Sequence, residues 1–297
     1  MRERAPAPWL VTVLLVLLLQ SPVVVQEYSA SGMVLSVDRS RNTFSASITA
    51  IQGFMPAKAI ALEVRNSNEL DGLTPGTLVQ FVLAVDKGTS RAERIRILRY
   101  QSTEQDPLAA NRLTLLTRVA GAAPHKVLAI GETAPDFRLM DQTRRPVTLS
   151  GLRGKVVVLN FVYTSCPLPN FCLRIANNFG VLQNRFKSQL GRDLVLLTLT
   201  FDPVHDTPEV LARYARRWSA DPATWHFLTG PVRDVQRVCH LFGVDFFPEE
   251  GLMNHSLRTA ILDRQGRVVA NIEGNQFTAG QLVDLTRTVL SRREPQP

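Results

Sequence analysis

The stretch Gly154-Lys-Val-Val-Val-Leu-Asn-Phe-Val-Tyr-Thr-Ser-Cys166-Pro-Leu-Pro-Asn-Phe-Cys172 decides the architecture of the segment around it. Val156–Val162 is a continuous apolar run, the pattern of a strand covered on both faces. Beyond the cysteines, Ile175, Phe179, Leu182 and Phe186 recur at helical spacing and mark one apolar face. A buried strand that feeds an amphipathic helix through a short loop begins an α/β unit. Thiols at such a junction meet unpaired backbone N–H groups and the positive end of the helix dipole, which lowers a thiolate's pKa. A thiolate is both a nucleophile and a soft metal ligand, so position alone fits redox work and metal binding equally.

Outward from there, strands and helices alternate. Residues 194–201 form the next apolar run. Asp206-Thr207-Pro208-Glu209 carries a cap residue, a proline at a first helical position and an acidic first turn, predicting a helix to Trp218 with Asp206 as its cap. A short strand at 225–228 and a helix at 232–242, stopped by Gly243, follow. Residues 257–262 and 268–272 flank the turn Asp263-Arg264-Gln265-Gly266, and a last amphipathic helix covers 279–290. Over residues 128–292 this order is that of an α/β thioredoxin-like domain. Residues 28–100 read differently, as five short strands separated by polar turns with no helical pattern, which predicts a small all-β barrel of OB-like type. Residues 101–127 read as a linker with one helix at 108–119.

The whole chain has 297 residues, which suits about two domains. Its net charge is +8, yet Lys and Arg are scattered singly or in pairs, so no nucleic-acid patch is expected. The excess suggests a preference for membrane surfaces or acidic protein faces. Arg2 and Arg4 precede an apolar run at 9–19, the layout of a secretory signal, and residues 1–27 read as a signal peptide or membrane anchor. Export then puts the domains in the periplasm or on the outer face of the cytoplasmic membrane. The three cysteines, Cys166, Cys172 and Cys239, are too few for a disulfide framework, so the close pair invites a redox or metal reading.

The thioredoxin topology brings a downstream loop against the cysteine loop. In dithiol oxidoreductases a proline stands in that loop; here Leu252-Met253-Asn254-His255-Ser256-Leu257 offers His255 instead. Two thiolates and one imidazole suit Cu(I), which favours soft sulfur and accepts three ligands. Zinc competes but usually takes four ligands in a structural site. The redox alternative is a thiol–disulfide oxidoreductase cycling Cys166 and Cys172. A peroxidase-like enzyme fits least, because Thr164 does not stand at Thr-x-x-Cys spacing. Cys239 shares a helical face with Val232, Val235 and Phe242, as a core thiol would. His205 reads as a solvated loop residue, His226 as lying on the other strand face, His125 as part of the linker and His240 as lying on the exposed helix side. Met140 and Met253 read as packing residues.

Three separated motifs carry a resemblance. Gly131-Glu-Thr-Ala-Pro-Asp-Phe-Arg-Leu139 with the Gly154–Pro167 run, Leu199-Thr-Phe-Asp-Pro-Val-His-Asp-Thr-Pro-Glu209, and Asn254-His255-Ser256 resemble the SCO/SenC family of copper proteins that assemble cytochrome c oxidase. The resemblance implies one copper ion per chain on Cys166, Cys172 and His255, with Asp202 beside the site. It also implies an acceptor such as cytochrome c oxidase subunit II, whose CuA centre receives the metal. One departure stands out: five residues separate the cysteines, where the familiar pattern has three. The first domain resembles the CusF-like periplasmic copper-binding barrel through Gly32-Met-Val-Leu-Ser-Val-Asp38, Gly53-Phe-Met-Pro-Ala57 and Leu70-Asp-Gly-Leu-Thr-Pro-Gly76. Ile48 and Ile60 stand where that pattern implies a histidine and a methionine, so the scaffold is expected without its ligands.

Overall fold

The computed structural model describes residues 26–86, 89–99, 125–249 and 252–292. The apolar run at 9–19 and the linker helix at 108–119 lie outside them. No helix among the described residues is long and apolar enough to cross a membrane.

Every residue of β8 (Val156–Val162) and β9 (Leu194–Thr200) is buried, which is why both read as unbroken apolar runs. They pair in parallel, and β10 (Trp225–Thr229) extends the parallel core from β9. On the other flank, β13 (Arg258–Leu262) runs antiparallel to β8 and forms a hairpin with β14 (Val268–Glu273). A second hairpin, β6 (Arg138–Asp141) with β7 (Pro146–Thr148), completes a seven-stranded mixed sheet in the order β14-β13-β8-β9-β10-β6-β7. Helices α1 (Arg174–Arg185), α2 (Pro208–Ala215), α3 (Val232–Leu241) and α4 (Ala279–Ser291) pack their apolar stripes on it. Ile175, Phe179, Leu182 and Phe186 are all buried, as their spacing predicts.

Two short hairpins escape the sequence pattern: β6–β7, and the pair β11 (Phe246–Glu249) and β12 (Leu252–His255). Strands of three or four residues leave too little alternation to register. The cap of α2 is also displaced by one residue. Thr207, not Asp206, accepts the bond from the Val210 N–H, and Asp206 turns inward instead.

At the N-terminal end, β1 (Gln26–Asp38), β2 (Thr43–Ile48), β3 (Lys58–Glu63), β4 (Leu78–Asp86) and β5 (Thr89–Ile97) close into a barrel in the order β1-β2-β3-β5-β4. The long β1 bridges β2 and β4, with a bulge between Val34 and Ser36 that bends it around the closure. Val34, Phe44, Leu62, Val79 and Phe81 fill the interior. The barrel rests on the α/β domain. Ser47 Oγ donates to Asp284 Oδ2 at 2.8 Å, and Gln281 Nε2 donates to the Ser47 carbonyl at 3.2 Å. Met33 and Leu35 join the α/β core, and Gly76 (φ +90°) lies so close to β14 that a Cβ would meet Ile272 Cγ1 at 2.8 Å.

Candidate metal centre

Strand β8 delivers Tyr163, Thr164 and Cys166 to the end of the sheet where parallel strands open their C-terminal ends. Residues Pro169–Leu173 form one wide π-helical turn that runs into α1. A turn closing over five residues rather than four takes up additional chain without moving the helix axis, and such turns favour functional positions. The longer spacing between the cysteines is absorbed there. Cys172 sits inside this turn and is fully buried, while Cys166 stands half-buried against Phe171, Ile175 and Leu257. Asn275 Nδ2 donates to the Asn170 carbonyl and ties the loop to the segment after β14.

Both cysteines are free, and they share one proton unequally. The Cys172 thiol donates to Cys166; with the further hydrogen bond to His255, this outweighs burial and holds Cys166 down to about 4. Cys172 is pushed well above the ordinary thiol range because it donates to Cys166, and burial raises it further. The result is a thiolate at the partly open position, backed by a thiol in the interior. Burial, then the Cys166 charge, raises Tyr163, whose hydroxyl hydrogen-bonds Cys166 and so stays protonated.

His255 ends β12 and is buried in an aromatic box. Its ring lies 4.6 Å from Phe201 and meets Tyr163 edge-on at 5.7 Å between centroids. Its Nδ1 is 3.1 Å from the Ser256 carbonyl, which only accepts, so Nδ1 carries a proton there and Nε2 is the nitrogen left for other partners. Cys166 is therefore the hub, touching Cys172 on one side and His255 on the other. The set is strung through Cys166 rather than mutually closed. Among the described residues, the one trio of His, Cys or carboxylate ligand atoms lying within 4.8 Å of one another is His125, His240 and Asp245. The donor set is one a soft cation could use: one sulfur is already ionised, and a metal would take the place of the proton that Cys172 shares with Cys166.

The carboxylates distribute differently from expectation. Asp202 pairs with the exposed His205 at 2.9 Å and raises that imidazole's pKa. It is Asp206 whose charge reaches Cys172. Asp206 is buried and accepts from the Thr164 N–H at 3.0 Å and from the hydroxyls of Thr164 and Thr200, so it stitches the end of β8 to the end of β9 beneath the cysteine loop. Burial raises its pKa against those hydrogen bonds. Sequence reasoning took Asp206 for a cap because Asp-Thr-Pro-Glu reads the same either way; Tyr163 carried no signal beyond proximity to Cys166. Cys239 is buried and its thiol is pushed up by desolvation, as a core residue's is.

Residues 128–291 match the SCO1/SenC family model. A protein of Stutzerimonas stutzeri named for copper binding is 27% identical over 164 residues, which cover 52% of this chain and 78% of that one. The SCO2-like protein RT0576 of Rickettsia typhi is 28% identical over 152 residues, 48% of this chain and 69% of that one. The copper-bound crystal structure of yeast Sco1 aligns with a TM-score of 0.47 at 27% identity, covering 55% of this chain and 92% of that one.

Proposed function

The chain belongs to the SCO1/SenC family, and from that membership we propose that it is a copper-binding assembly factor of the cell envelope. It takes one Cu(I) on Cys166, Cys172 and His255 and passes it to the CuA centre of a terminal oxidase, on subunit II or a similar acceptor. The observation that carries this reading is the position of the Cys166 thiolate between the Cys172 thiol and His255. A half-buried hub sulfur lets an acceptor's thiols approach the metal while the buried Cys172 and boxed His255 still hold it. The charged start and apolar run at 9–19 support export to the periplasm or the outer face of the cytoplasmic membrane. In this reading the barrel is a degenerate OB-like, CusF-like module that serves as spacer or docking surface. The test is transfer. Protein loaded with one Cu(I) is mixed anaerobically with a copper-free soluble CuA domain, and copper is counted in each after separation. Copper moving to the acceptor supports the role; copper staying put under excess acceptor contradicts it.

The same asymmetric thiol pair favours a second reading, a thiol–disulfide oxidoreductase. The Cys166 thiolate would attack a substrate disulfide, breaking its S–S bond and releasing one substrate thiol after protonation. Cys172, losing its proton, would then attack Cys166, releasing the second thiol and leaving a Cys166–Cys172 disulfide. Turnover with a disulfide substrate in metal-free buffer, abolished by Cys172→Ser, distinguishes this reading.

A further inference from the structure

Away from the cysteines, three residues predicted to be unremarkable meet at one place. His125 closes the linker, His240 lies in the last turn of α3, and Asp245 precedes β11. Their ligand atoms all lie within 4.8 Å of one another, and each residue is partly buried. The two imidazoles stack face to face, 4.0 Å between centroids with 8° between planes, and His125 Nε2 is 3.2 Å from Asp245 Oδ1. Two cationic imidazoles cannot rest in such a stack. Each imidazole, when neutral, keeps one nitrogen lone pair that a metal could take.

We propose that His125, His240 and Asp245 form a second metal site, an N2O site for a borderline divalent cation of the Zn(II) class. The donor set differs in kind from the cysteine site: imidazole and carboxylate with no sulfur select a borderline or harder cation, not Cu(I). Two histidines and a carboxylate are a familiar zinc ligand set that leaves a fourth position open. Bonds of about 2.0–2.1 Å set ligand atoms closer together than the 4.8 Å limit within which these lie. The rings must also splay from their stack to aim their lone pairs at one point. All three residues sit at element ends or in a loop, where such small rotations are cheapest.

The surroundings complete the picture. A cavity of about 420 Å³ opens on His125 and His240, rimmed by Lys126, Arg233 and Arg237. Lys126 pairs with Glu132 and Arg237 with Asp234, which moderates their repulsion of a cation. What remains of the positive rim suits a small anion, such as chloride or a carboxylate, in the open fourth position. The site also spans three segments. Leu128 N–H donates to the Leu241 carbonyl at 2.9 Å, and Ser256 N–H donates to the Asp245 carbonyl at 2.9 Å. A metal here would clamp the linker and α3 to the hairpin that ends in His255.

The test uses the full chain carrying Cys166→Ser and Cys172→Ser, which removes the sulfur site. Isothermal titration with Zn(II) in a non-chelating chloride buffer is expected to show one equivalent bound and a raised Tm. Adding His240→Gln to that chain should weaken binding more than ~100-fold, beyond the 10–100-fold that a supporting residue costs. His125→Gln, at the edge of the fold, should do the same and guards against a folding defect at α3. Absence of Zn(II) binding by the cysteine-free chain overturns the proposal. So does binding that survives both histidine changes unaltered.

Discussion

The barrel and the α/β domain are each built around a core of buried strands, yet they keep different things at their surfaces. Where the barrel does not rest on the α/β domain, its outer face is wet, whereas β1 and β2 are covered on both faces along part of their length. β3 and β5 carry exposed residues at alternate positions, and the sulfur of Met33 goes into the core. Met55 is only partly buried, Ile48 is deep in the barrel interior, and Lys58 is exposed beside it. In the α/β domain β8 and β9 are dry on both faces, and Thr164, Cys166 and Asp206 lie just past their ends, with His255 hydrogen-bonded to Cys166. A fully covered sheet concentrates chemistry at its edge; a half-wet barrel leaves it dispersed.

That contrast can be broken in several ways. The largest effect is expected from Cys166→Ser with Cys172→Ser in the full chain, which should abolish Cu(I) binding in anaerobic competition with a chelator. If the double variant retains stoichiometric copper, the barrel holds the ligands after all. His255→Ala comes next. Removing one of three ligands should weaken Cu(I) by more than ~100-fold, above the cost of a supporting residue. The two sulfurs should still oxidise to a disulfide, read as loss of free thiol. Unchanged affinity would remove His255 from the site.

The third effect is a pH profile. Because the thiolate of Cys166 is favoured down to about 4, its alkylation rate by iodoacetamide should stay level from pH 8 to about pH 5 and fall below that. The sign follows from the depressed value: the folded protein keeps the thiolate where an unfolded thiol is protonated. This contribution to stability is present above the ordinary thiol range and disappears as pH falls through about 4. A rate that climbs steadily from pH 7 to 9 would show an ordinary thiol. Smaller still is the contact between the two regions. Gly76→Ala should cost about 1–3 kcal/mol through the clash with Ile272 and the left-handed backbone, measured by urea unfolding, with copper affinity unchanged. Met55→Leu is expected to change neither affinity nor stoichiometry.

Most of this architecture was legible because burial writes itself into sequence as runs and periods. Val156–Val162 and the Ile175–Phe179–Leu182 stripe named their own elements. The cysteine pair and His255 were legible by chemistry, since few residue types offer sulfur or imidazole. What stayed hidden depends on rotamers and on partners far away in the chain. Asp206 has the sequence context of a cap, and only its burial shows that it holds Thr164 and Thr200 instead. His125 and His240 fall in segments that gave no reason to pair them, and their stacking goes with residues 125–128 lying along the end of α3. The π-helical turn at Pro169–Leu173 leaves no periodic trace in one turn of chain, yet it holds Cys172 in hydrogen-bond reach of Cys166 across the long spacing.

One copper held by two sulfurs and one imidazole nitrogen has a distinct signature in X-ray absorption at the copper edge of the full chain, loaded anaerobically with one equivalent of Cu(I). The expected result is a three-coordinate shell of two sulfur neighbours and one nitrogen, with the nitrogen lost in His255→Ala. A shell of nitrogen and oxygen alone, or one that His255→Ala leaves unchanged, would contradict it.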